Sequence, residues 1–385
     1  MKQIAGPKCI MIIAGEASGD LHGAKLVEAM LERDPSLFFC GVGGRALQEA
    51  GVRILVEASE LAVVGITEVF SKLGSLLKGA SRVKKLLKNL KPDLLIIIDF
   101  PDFNLHAAAI AKKQGIPVFY YISPQVWAWR KGRVKKIKRL VDHVGVILPF
   151  EETFYKEHDV PVTFVGHPLL DETFYGKRDQ TESDRSAEPV IGLLPGSRDK
   201  EVIRNLPAML EAAMHIRHEF PEIRFCVSHA PTVQKSLIDG ILEKFRYENE
   251  IVVSTEHVRT IFERSHLVVA VSGTVTLEAA ISGTPTVIVY SVSSLSYLIG
   301  RAMIKVKHIG LINLIAGKEI VPELIQDKAA PEQIAACVTE LLKKPEKLEN
   351  MRSELLKTRE CLGDPGASER AAALAFELLE YRHDG

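Results

Sequence analysis

Short, continuous runs of apolar residues recur along the first 150 residues, with helical segments between them. A run of this length, bounded by turn residues, is typical of a strand buried on both faces of a parallel sheet. Repeated strand–helix units predict an α/β domain with helices on both faces of the sheet. The predicted strands are Cys9–Ala14, Phe38–Val42, Leu94–Ile98, Val118–Ile122 and Gly145–Leu148.

A polar stretch at residues 176–188 lacks apolar periodicity and predicts a linker. After it the alternation resumes, with a long helix over Asp199–Phe220. Further strands are predicted at Val190–Leu194, Arg224–Val227, Ile251–Val253, Leu267–Ala270 and Thr286–Tyr290. The pattern therefore predicts two Rossmann-like domains, at 1–175 and 188–360. A C-terminal helix at 361–385 follows a Gly-Asp-Pro-Gly turn and could cap either half.

Composition and charge narrow the class of protein. The 385 residues are long enough for two domains, and 46% hydrophobic with 25% charged residues is an ordinary globular balance. Lys and Arg together number 49, as do Asp and Glu, so a general nucleic-acid binder is disfavoured. Five widely separated cysteines favour a reducing compartment over a disulfide framework. We expect no signal peptide, no membrane-spanning helix, no metal site and no cofactor.

The loop after the first strand, Gly15–Asp20, is a candidate binding loop. Ligands of open α/β sheets bind beyond the carboxyl ends of the strands. Glu16, Ser18, Gly19 and Asp20 are therefore candidate substrate contacts, and the Glu16 carboxylate suits sugar hydroxyls better than a pyrophosphate. A tight turn in which Ser18 and Asp20 cap the next helix explains the same residues equally well.

Asp99 follows the most apolar strand of the chain and is the candidate general base. A carboxylate at the rim of a dry sheet can have a raised pKa, which suits proton abstraction. The alternative is an Asp that braces the loop. Asp102 and Asn104, just downstream, are interpreted as helix caps.

Two loops of the second half favour a nucleotide diphosphate. Ser197 and Arg198 lie in a Leu-Pro-Gly-Ser-Arg segment before a long helix, where amides and a guanidinium suit a pyrophosphate. The second loop places a Glu in the first helical turn, where it could accept both ribose hydroxyls or simply interact with the helix dipole. Its candidate residues are Gly273, Thr274, Thr276 and Glu278.

Both tryptophans, Trp127 and Trp129, lie in one block directly after the Val118–Ile122 strand, so Gln125 and Trp127 are expected to face the cleft. Seven of the ten residues from Arg130 to Arg139 are Lys or Arg. Such a block occurs where a protein meets phosphate, nucleic acid or a membrane interface.

An upstream helical stripe has cations around it and after it, as in helices that lie in an anionic membrane surface. Packing on a core is the stronger general expectation for such a helix. Its apolar members are Ile66, Val69, Phe70, Leu73, Leu76 and Leu77.

These segments together resemble the lipid-A-disaccharide synthase family of GT-B-fold glycosyltransferases. The match runs through nearly the whole chain, and its most specific parts are the Gly15–Asp20 loop and the tryptophan block. One departure is Ile312, where the family often has Pro. The matching motifs are Ala14-Gly-Glu-Ala-Ser-Gly-Asp20, Ile98-Asp-Phe-Pro-Asp-Phe-Asn104, Ser123-Pro-Gln-Val-Trp-Ala-Trp129, Val165-Gly-His-Pro168, Leu194-Pro-Gly-Ser-Arg198, Gly273-Thr-Val-Thr-Leu-Glu278, Asn313 and Pro322-Glu-Leu-Ile-Gln326.

The resemblance implies two Rossmann-like domains facing across a cleft, the first on the acceptor and membrane side and the second on the UDP-donor side. It implies inverting transfer of 2,3-diacylglucosamine from UDP to lipid X (2,3-diacylglucosamine 1-phosphate). The product is the β-1,6-linked lipid A disaccharide 1-phosphate. It also implies that Asn313 and Gln326 line the donor side and that Arg130–Arg139 forms a basic lip for lipid phosphates.

The family's setting is the inner face of the cytoplasmic membrane, with an anionic surface as partner and a homodimer formed by exchange of C-terminal helices as one arrangement. Two other functions compete with this one. A GT-B-like sugar-nucleotide 2-epimerase would need an acid/base pair and no acyl specificity. An RNA- or membrane-binding module would use the basic run, but RNA binding fits poorly with a net charge of zero.

Overall fold

The computed structural model describes residues 7–61, 69–127, 132–171, 189–245, 251–292 and 307–380, with the backbone alone at 61 and 69–77. The chain forms two compact units. The first comprises residues 1–175 and 362–385, and the second comprises residues 176–361.

The first unit alternates strands and helices as the apolar runs predict. All five residues of the strand over Leu94–Ile98 are inaccessible to solvent, because helices cover both faces of the sheet. Its strands are β1 (Cys9–Ala14), β2 (Phe38–Gly43), β3 (Arg53–Glu57), β4 (Leu94–Ile98), β5 (Val118–Tyr121), β6 (His143–Val146) and β7 (Val162–Phe164). The first helices are α1 (Ala17–Arg33), α2 (Arg45–Glu49), α3 (Ala58–Leu61), α4 (Val69–Leu90), α5 (Pro101–Lys112), α6 (Arg133–Leu140) and α7 (Pro149–Lys156), with a 3₁₀ turn at Pro168–Leu170.

The seven parallel strands run in the order β3-β2-β1-β4-β5-β6-β7. From β1 the chain adds β2 and β3 on one side of the sheet, and from β4 it adds β5, β6 and β7 on the other side. The loops after β1 and β4 therefore diverge at the topological switch point, where open α/β sheets bind ligands.

The second unit repeats this plan with six strands. Its strands are β8 (Val190–Leu194), β9 (Arg224–Ser228), β10 (Ile251–Ser254), β11 (Leu267–Val271), β12 (Thr286–Tyr290) and β13 (Glu323–Ile325). Its helices are α8 (Asp199–Glu219), α9 (Lys235–Phe245), α10 (Val258–Arg264), α11 (Val275–Ser282), α12 (Leu311–Ala316), α13 (Pro331–Leu342) and α14 (Pro345–Glu360), with a 3₁₀ turn at Gln326–Ala329.

The strand order β10-β9-β8-β11-β12-β13 places the switch point of this sheet between β8 and β11. All described strand pairs in it are parallel. The Leu-Pro-Gly-Ser-Arg loop follows β8 and the Ser-Gly-Thr loop follows β11, so both candidate phosphate loops lie at one edge.

The last helix, α15 (Ala367–Glu380), belongs to the first unit and packs against α1. Its N-terminus is held by the Asp171 carboxylate, which accepts hydrogen bonds from the amides of Gly366 at 2.8 Å and of Ala367 and Ser368 at 3.0 Å. A carboxylate at this position satisfies amides that have no partner inside the helix and is favoured by the helix dipole.

One predicted strand is shifted in the structure, and four short elements were not predicted. The strand expected at Gly145–Leu148 is β6, which begins and ends two residues earlier because Leu148 already precedes α7. Strands β3, β7 and β13 and helix α2 were not predicted, since each is only three to five residues long.

Candidate active site

Asp99 lies immediately beyond β4 in a strained turn. Asp99 and Phe100 both have φ near +43°, and Ile122, beyond the neighbouring strand β5, has φ of 55°. Left-handed backbone costs an ordinary L-residue about 1–2 kcal/mol, and strain of this kind collects at functional sites. The Asp99 amide donates to the carbonyl of Ile122 at 3.1 Å, which joins the two strained positions.

Two buried side chains hold this turn. The Asn104 amide nitrogen donates to the carbonyls of Ile98 at 2.9 Å and of Asp99 at 2.7 Å. The Tyr120 hydroxyl donates to the same Asp99 carbonyl at 2.8 Å. Asn104 is fully buried inside α5, so its interpretation as a helix cap is wrong. The interpretation of Asp102 as a helix cap is also wrong, because the N-cap of α5 is Phe100, and Asp102 lies in the first turn and pairs with Arg133.

The environment of Asp99 favours a proton acceptor that works near neutral pH. Burial raises the pKa of Asp99 to about 6, and the negative charge of Glu16 adds to the rise. The two loops also meet physically, because the Phe100 ring covers Gly15, where an added Cβ would lie 2.4 Å from a ring carbon. The switch point thus brings Glu16 and Asp99 together.

The loop after β1 divides into exposed and buried residues. Glu16 and Ser18 are exposed, whereas Gly19 is buried, with its α-carbon facing Ile98. Asp20 accepts the amides of Gly44 at 2.6 Å and Ala46 at 2.9 Å.

The N-cap of α1 is Glu16, so the expectation that Ser18 and Asp20 cap this helix is wrong. Asp20 instead holds the start of α2. Glu16 and Ser18 remain the residues of this loop best exposed to a ligand.

Trp127 is held by a buried carboxyl group that sequence reasoning missed. Its indole Nε1 donates to Oε1 of Glu151 at 3.0 Å, and its ring meets Phe150 edge-on at 4.8 Å. Glu151 is 2% exposed and accepts the Leu148 amide through its other oxygen. Burial raises the pKa of Glu151 to about 7. Gln125, two residues before Trp127, is exposed.

Cations cover the solvent side of two helices in the first unit. In α6, Val134, Ile137 and Leu140 are buried while Lys135, Lys136, Lys138 and Arg139 are exposed. The later turns of α4 expose Lys78, Arg82, Lys84, Lys85 and Lys88.

Of the candidate membrane residues, Ile66 lies outside the described residues, as do Trp129 to Lys131 of the basic block. Helix α4 begins at Val69, and its backbone alone is described at Val69, Phe70, Leu73, Leu76 and Leu77.

In the second unit, Ser197 and Arg198 are exposed at the start of α8. Gly196 adopts φ of 119°, a left-handed conformation that turns the loop toward the helix. Thr232 donates its hydroxyl to the Ser197 carbonyl at 2.6 Å and so fixes the loop from the β9 side. The amide of Ser197 and the guanidinium of Arg198 both bind the Glu201 carboxylate.

The loop after β11 combines exposed and buried groups. Thr274 is exposed, while Thr276 is fully buried and donates to the Gly273 carbonyl at 2.7 Å. Glu278 is 5% exposed in the first turn of α11. Gly273 and Thr274 therefore offer the accessible donors of this loop, and Thr276 braces it.

Asn313 and Gln326 form a braced segment beside β12 and β13. Asn313 is fully buried; its amide nitrogen donates to Val321 O and to Glu323, each at 2.8 Å. Its oxygen accepts the amide of Ile320 at 2.8 Å. Gln326 has φ of 53° and binds both backbone polar groups of Val292, which precedes residues outside the described part.

Sequence reasoning found the loops but not their supports. Tyr120 and Glu151 reach the predicted residues from other elements, so no local pattern marks them. Asn104 and Glu201 lie close in sequence to Asp99 and Arg198, but only the structure shows that their side chains hold these loops. The described residues contain no group of three or more His, Cys, Asp or Glu side chains that could hold a metal ion. In the same part of the chain, no helix is long and apolar enough to cross a membrane.

Solved structures of similar fold define the class. The chain resembles a UDP-GlcNAc 2-epimerase from Neisseria meningitidis bound to UDP-GlcNAc, with a TM-score of 0.61, 13% identity and coverage of 97% of this chain and 100% of that one. It also resembles a glycosyltransferase from Rickettsia africae, with a TM-score of 0.60, 10% identity and coverage of 97% and 99%. The protein therefore has the two-domain GT-B fold, and the predicted α/β class is confirmed.

Sequence relatives identify the family. The lipid-A-disaccharide synthetase family model matches residues 10–377. The lipid-A-disaccharide synthase of Syntrophus aciditrophicus is 48% identical, over 97% of this chain and 98% of that protein. That of Geobacter metallireducens is 46% identical, over 97% of both. The chain belongs to the lipid-A-disaccharide synthase family.

Membership in this family confirms the predicted class of enzyme, a hexosyltransferase of lipid A biosynthesis. A UDP-sugar donor and a lipid X acceptor follow from the family, as does inversion at the transferred anomeric carbon. For the 2-epimerase alternative, the only remaining support is that the chain resembles 2-epimerases in fold.

Proposed function

We propose that Asp99 is the general base of this transfer. The observation that carries the proposal is its position: a partly buried carboxyl at the switch point of the first sheet, held by Asn104 and Tyr120 through its own backbone. With its pKa raised to about 6, Asp99 is ionised at neutral pH yet basic enough to remove the proton of the acceptor 6-hydroxyl. The oxygen then attacks the anomeric carbon from the face opposite UDP.

The first unit would bind the acceptor and the second the donor. In the first unit, Glu16, Ser18, Gln125 and Trp127 are the candidate contacts to the acceptor sugar. This assignment is supported by their location at the same edge of the sheet as Asp99, where Glu16, Ser18 and Gln125 are exposed and Trp127 is half-buried. Gly19 and Asp20 would act by holding this loop and α2, since Asp20 already binds two amides.

In the second unit, Ser197, Arg198 and the α8 amides would stabilise the departing diphosphate, since donors aimed at developing charge lower the barrier. Gly273 and Thr274 would approach the phosphates, with Thr276 as a brace and Glu278 beside the ribose. Asn313 and Gln326 would position the β13 segment rather than contact the sugar directly. The Arg198 cation supplies charge that a metal ion would otherwise supply, so we expect no metal requirement.

The exposed cations of α4 and α6 support a peripheral location on the inner face of the cytoplasmic membrane. Each cation near an anionic surface contributes about 1 kcal/mol, and both substrates carry acyl chains and phosphate. The apolar stripe from Ile66 to Leu77 would then contact lipid. A homodimer by exchange of C-terminal helices remains part of this proposal.

The test is disaccharide formation from UDP-2,3-diacylglucosamine and lipid X. The Asp99→Ala variant should lose nearly all turnover while keeping its circular dichroism and its affinity for UDP. Asp102→Asn, which alters an exposed carboxylate in the first turn of the following helix α5, is the matched control and should stay active. Unchanged turnover in Asp99→Ala would contradict the base assignment, and loss of wild-type activity in EDTA would contradict the metal-free mechanism.

A further inference from the structure

The candidate phosphate loop carries an anion of its own. Oε2 of Glu201 accepts the Ser197 amide at 3.1 Å, and Oε1 accepts Nη1 of Arg198 at 2.9 Å. The carboxylate also lies against Gly196, where an added Cβ would be 2.5 Å from Oε2. One carboxylate therefore binds both kinds of donor in this loop, a backbone amide and the guanidinium.

These are the groups that a nucleoside diphosphate would use. Amides at a helix N-terminus and a guanidinium form charge-assisted hydrogen bonds with carboxylate and phosphate oxygens alike. The Glu201 carboxylate is thus a chemical mimic of the ligand for which the loop is suited. A diphosphate cannot accept the same hydrogen bonds from the same direction while Glu201 holds them.

We propose that Glu201 is an intramolecular competitor of the donor diphosphate, which must release Ser197 and Arg198 before UDP binds. This inference rests on the proposed donor role of the β8–α8 loop. It adds that the loop is held in its binding conformation by a substitute anion and that donor affinity is reduced accordingly. The exposure of the pair, 69% for the Arg198 side chain and 34% for Glu201, lets the carboxylate swing into solvent without leaving a buried charge.

The ordinary alternative is a capping role alone. Glu201 is the third residue of α8, and a Glu there commonly reaches back to amides that precede the helix. A cap that does not compete would leave the affinity for UDP unchanged when it is removed. A residue that orients Arg198 for the phosphate would make UDP bind more weakly on removal. Of these three roles, only competition predicts that removing the Glu201 carboxylate makes UDP bind more tightly.

The experiment compares UDP binding by calorimetry in the full chain and in the Glu201→Gln and Glu211→Gln variants. Glu211 is an exposed carboxylate farther along α8 and is the matched control. Removing a partly exposed ion pair at a helix start should make Glu201→Gln bind UDP about two- to fivefold more tightly. Its melting temperature without UDP should fall slightly, since a negative charge at the helix N-terminus is lost, and its shift on adding UDP should increase. Glu211→Gln should match the unaltered chain.

Unchanged or weaker UDP binding by Glu201→Gln would overturn the competitor role. An Arg198→Ala variant separates this outcome from failure of the donor assignment. If Arg198→Ala binds UDP as the unaltered chain does, or the unaltered chain does not bind UDP, the loop is not the donor site and both proposals fail. If Arg198→Ala weakens binding while Glu201→Gln leaves it unchanged, the donor site stands and the competitor role alone is wrong.

Discussion

Replacing Asp99 by Asn should stabilise the first unit above pH 6 while removing its activity. An Asp whose pKa rises from 3.8 to about 6 on folding is harder to ionise in the folded state than in the unfolded state. Above pH 6 this difference costs up to about 3 kcal/mol, from 1.36 kcal/mol per pKa unit. Below pH 3.8 the group is protonated in both states and the cost vanishes. A neutral Asn avoids the cost and also tolerates the left-handed backbone at this position.

Urea unfolding followed by tryptophan fluorescence measures this effect, since Trp127 and Trp129 both belong to the first unit. We expect the gain in free energy of unfolding for Asp99→Asn to be large at pH 8 and to shrink toward pH 4. Glu32→Gln serves as the control, because Glu32 is an exposed carboxylate of the same unit. Equal or lower stability of Asp99→Asn at pH 8 would refute the claim that burial raises the Asp99 pKa.

Two further predictions concern residues that hold the site. Tyr120→Phe removes one buried hydrogen bond to the Asp99 carbonyl, which is worth about 1 kcal/mol. We therefore expect kcat to fall about fivefold with little change in the KM for lipid X. A change in KM alone would contradict the positioning role of Tyr120. In the unaltered chain, ionisation of Glu151 near pH 7 should shift the tryptophan emission, because its carboxyl accepts from Trp127. Glu151→Gln should abolish that fluorescence titration, and an identical titration in the variant would assign it to another group.

The sequence predicted the strands best where every residue of a short segment is apolar. Leu94–Ile98 could only be a buried strand, and the carboxyl-end rule then placed Asp99 at the rim of a sheet. The same reasoning located Ser197 and Arg198 beyond β8. These predictions depend on local periodicity and turn residues, which one stretch of chain contains by itself.

The contacts that hold the candidate site residues in place could not be predicted. Most of them join residues that are distant in sequence, and the others come from side chains inside a helix whose direction the sequence does not show. Glu151 binds Trp127 across 24 residues, and Asp20 binds Ala46 across 26. Glu201 lies close in sequence to Arg198, but only the loop geometry shows that its carboxylate binds the candidate phosphate donors, the Ser197 amide and the Arg198 guanidinium. Short strands such as β13 are set by pairing with a neighbour rather than by their own pattern.

The most direct test of the central claim is the pH profile of kcat/KM for lipid X in the unaltered chain and in Glu16→Gln. A base whose pKa is about 6 should give activity that rises with pH through that region, because only the ionised carboxylate accepts the proton. Removing the negative charge of Glu16 lowers the Asp99 pKa, so the rise should move to lower pH whatever the loss in rate. A flat profile from pH 4.5 to 8, or a rise that Glu16→Gln leaves in place, would contradict the assignment of Asp99 as the base.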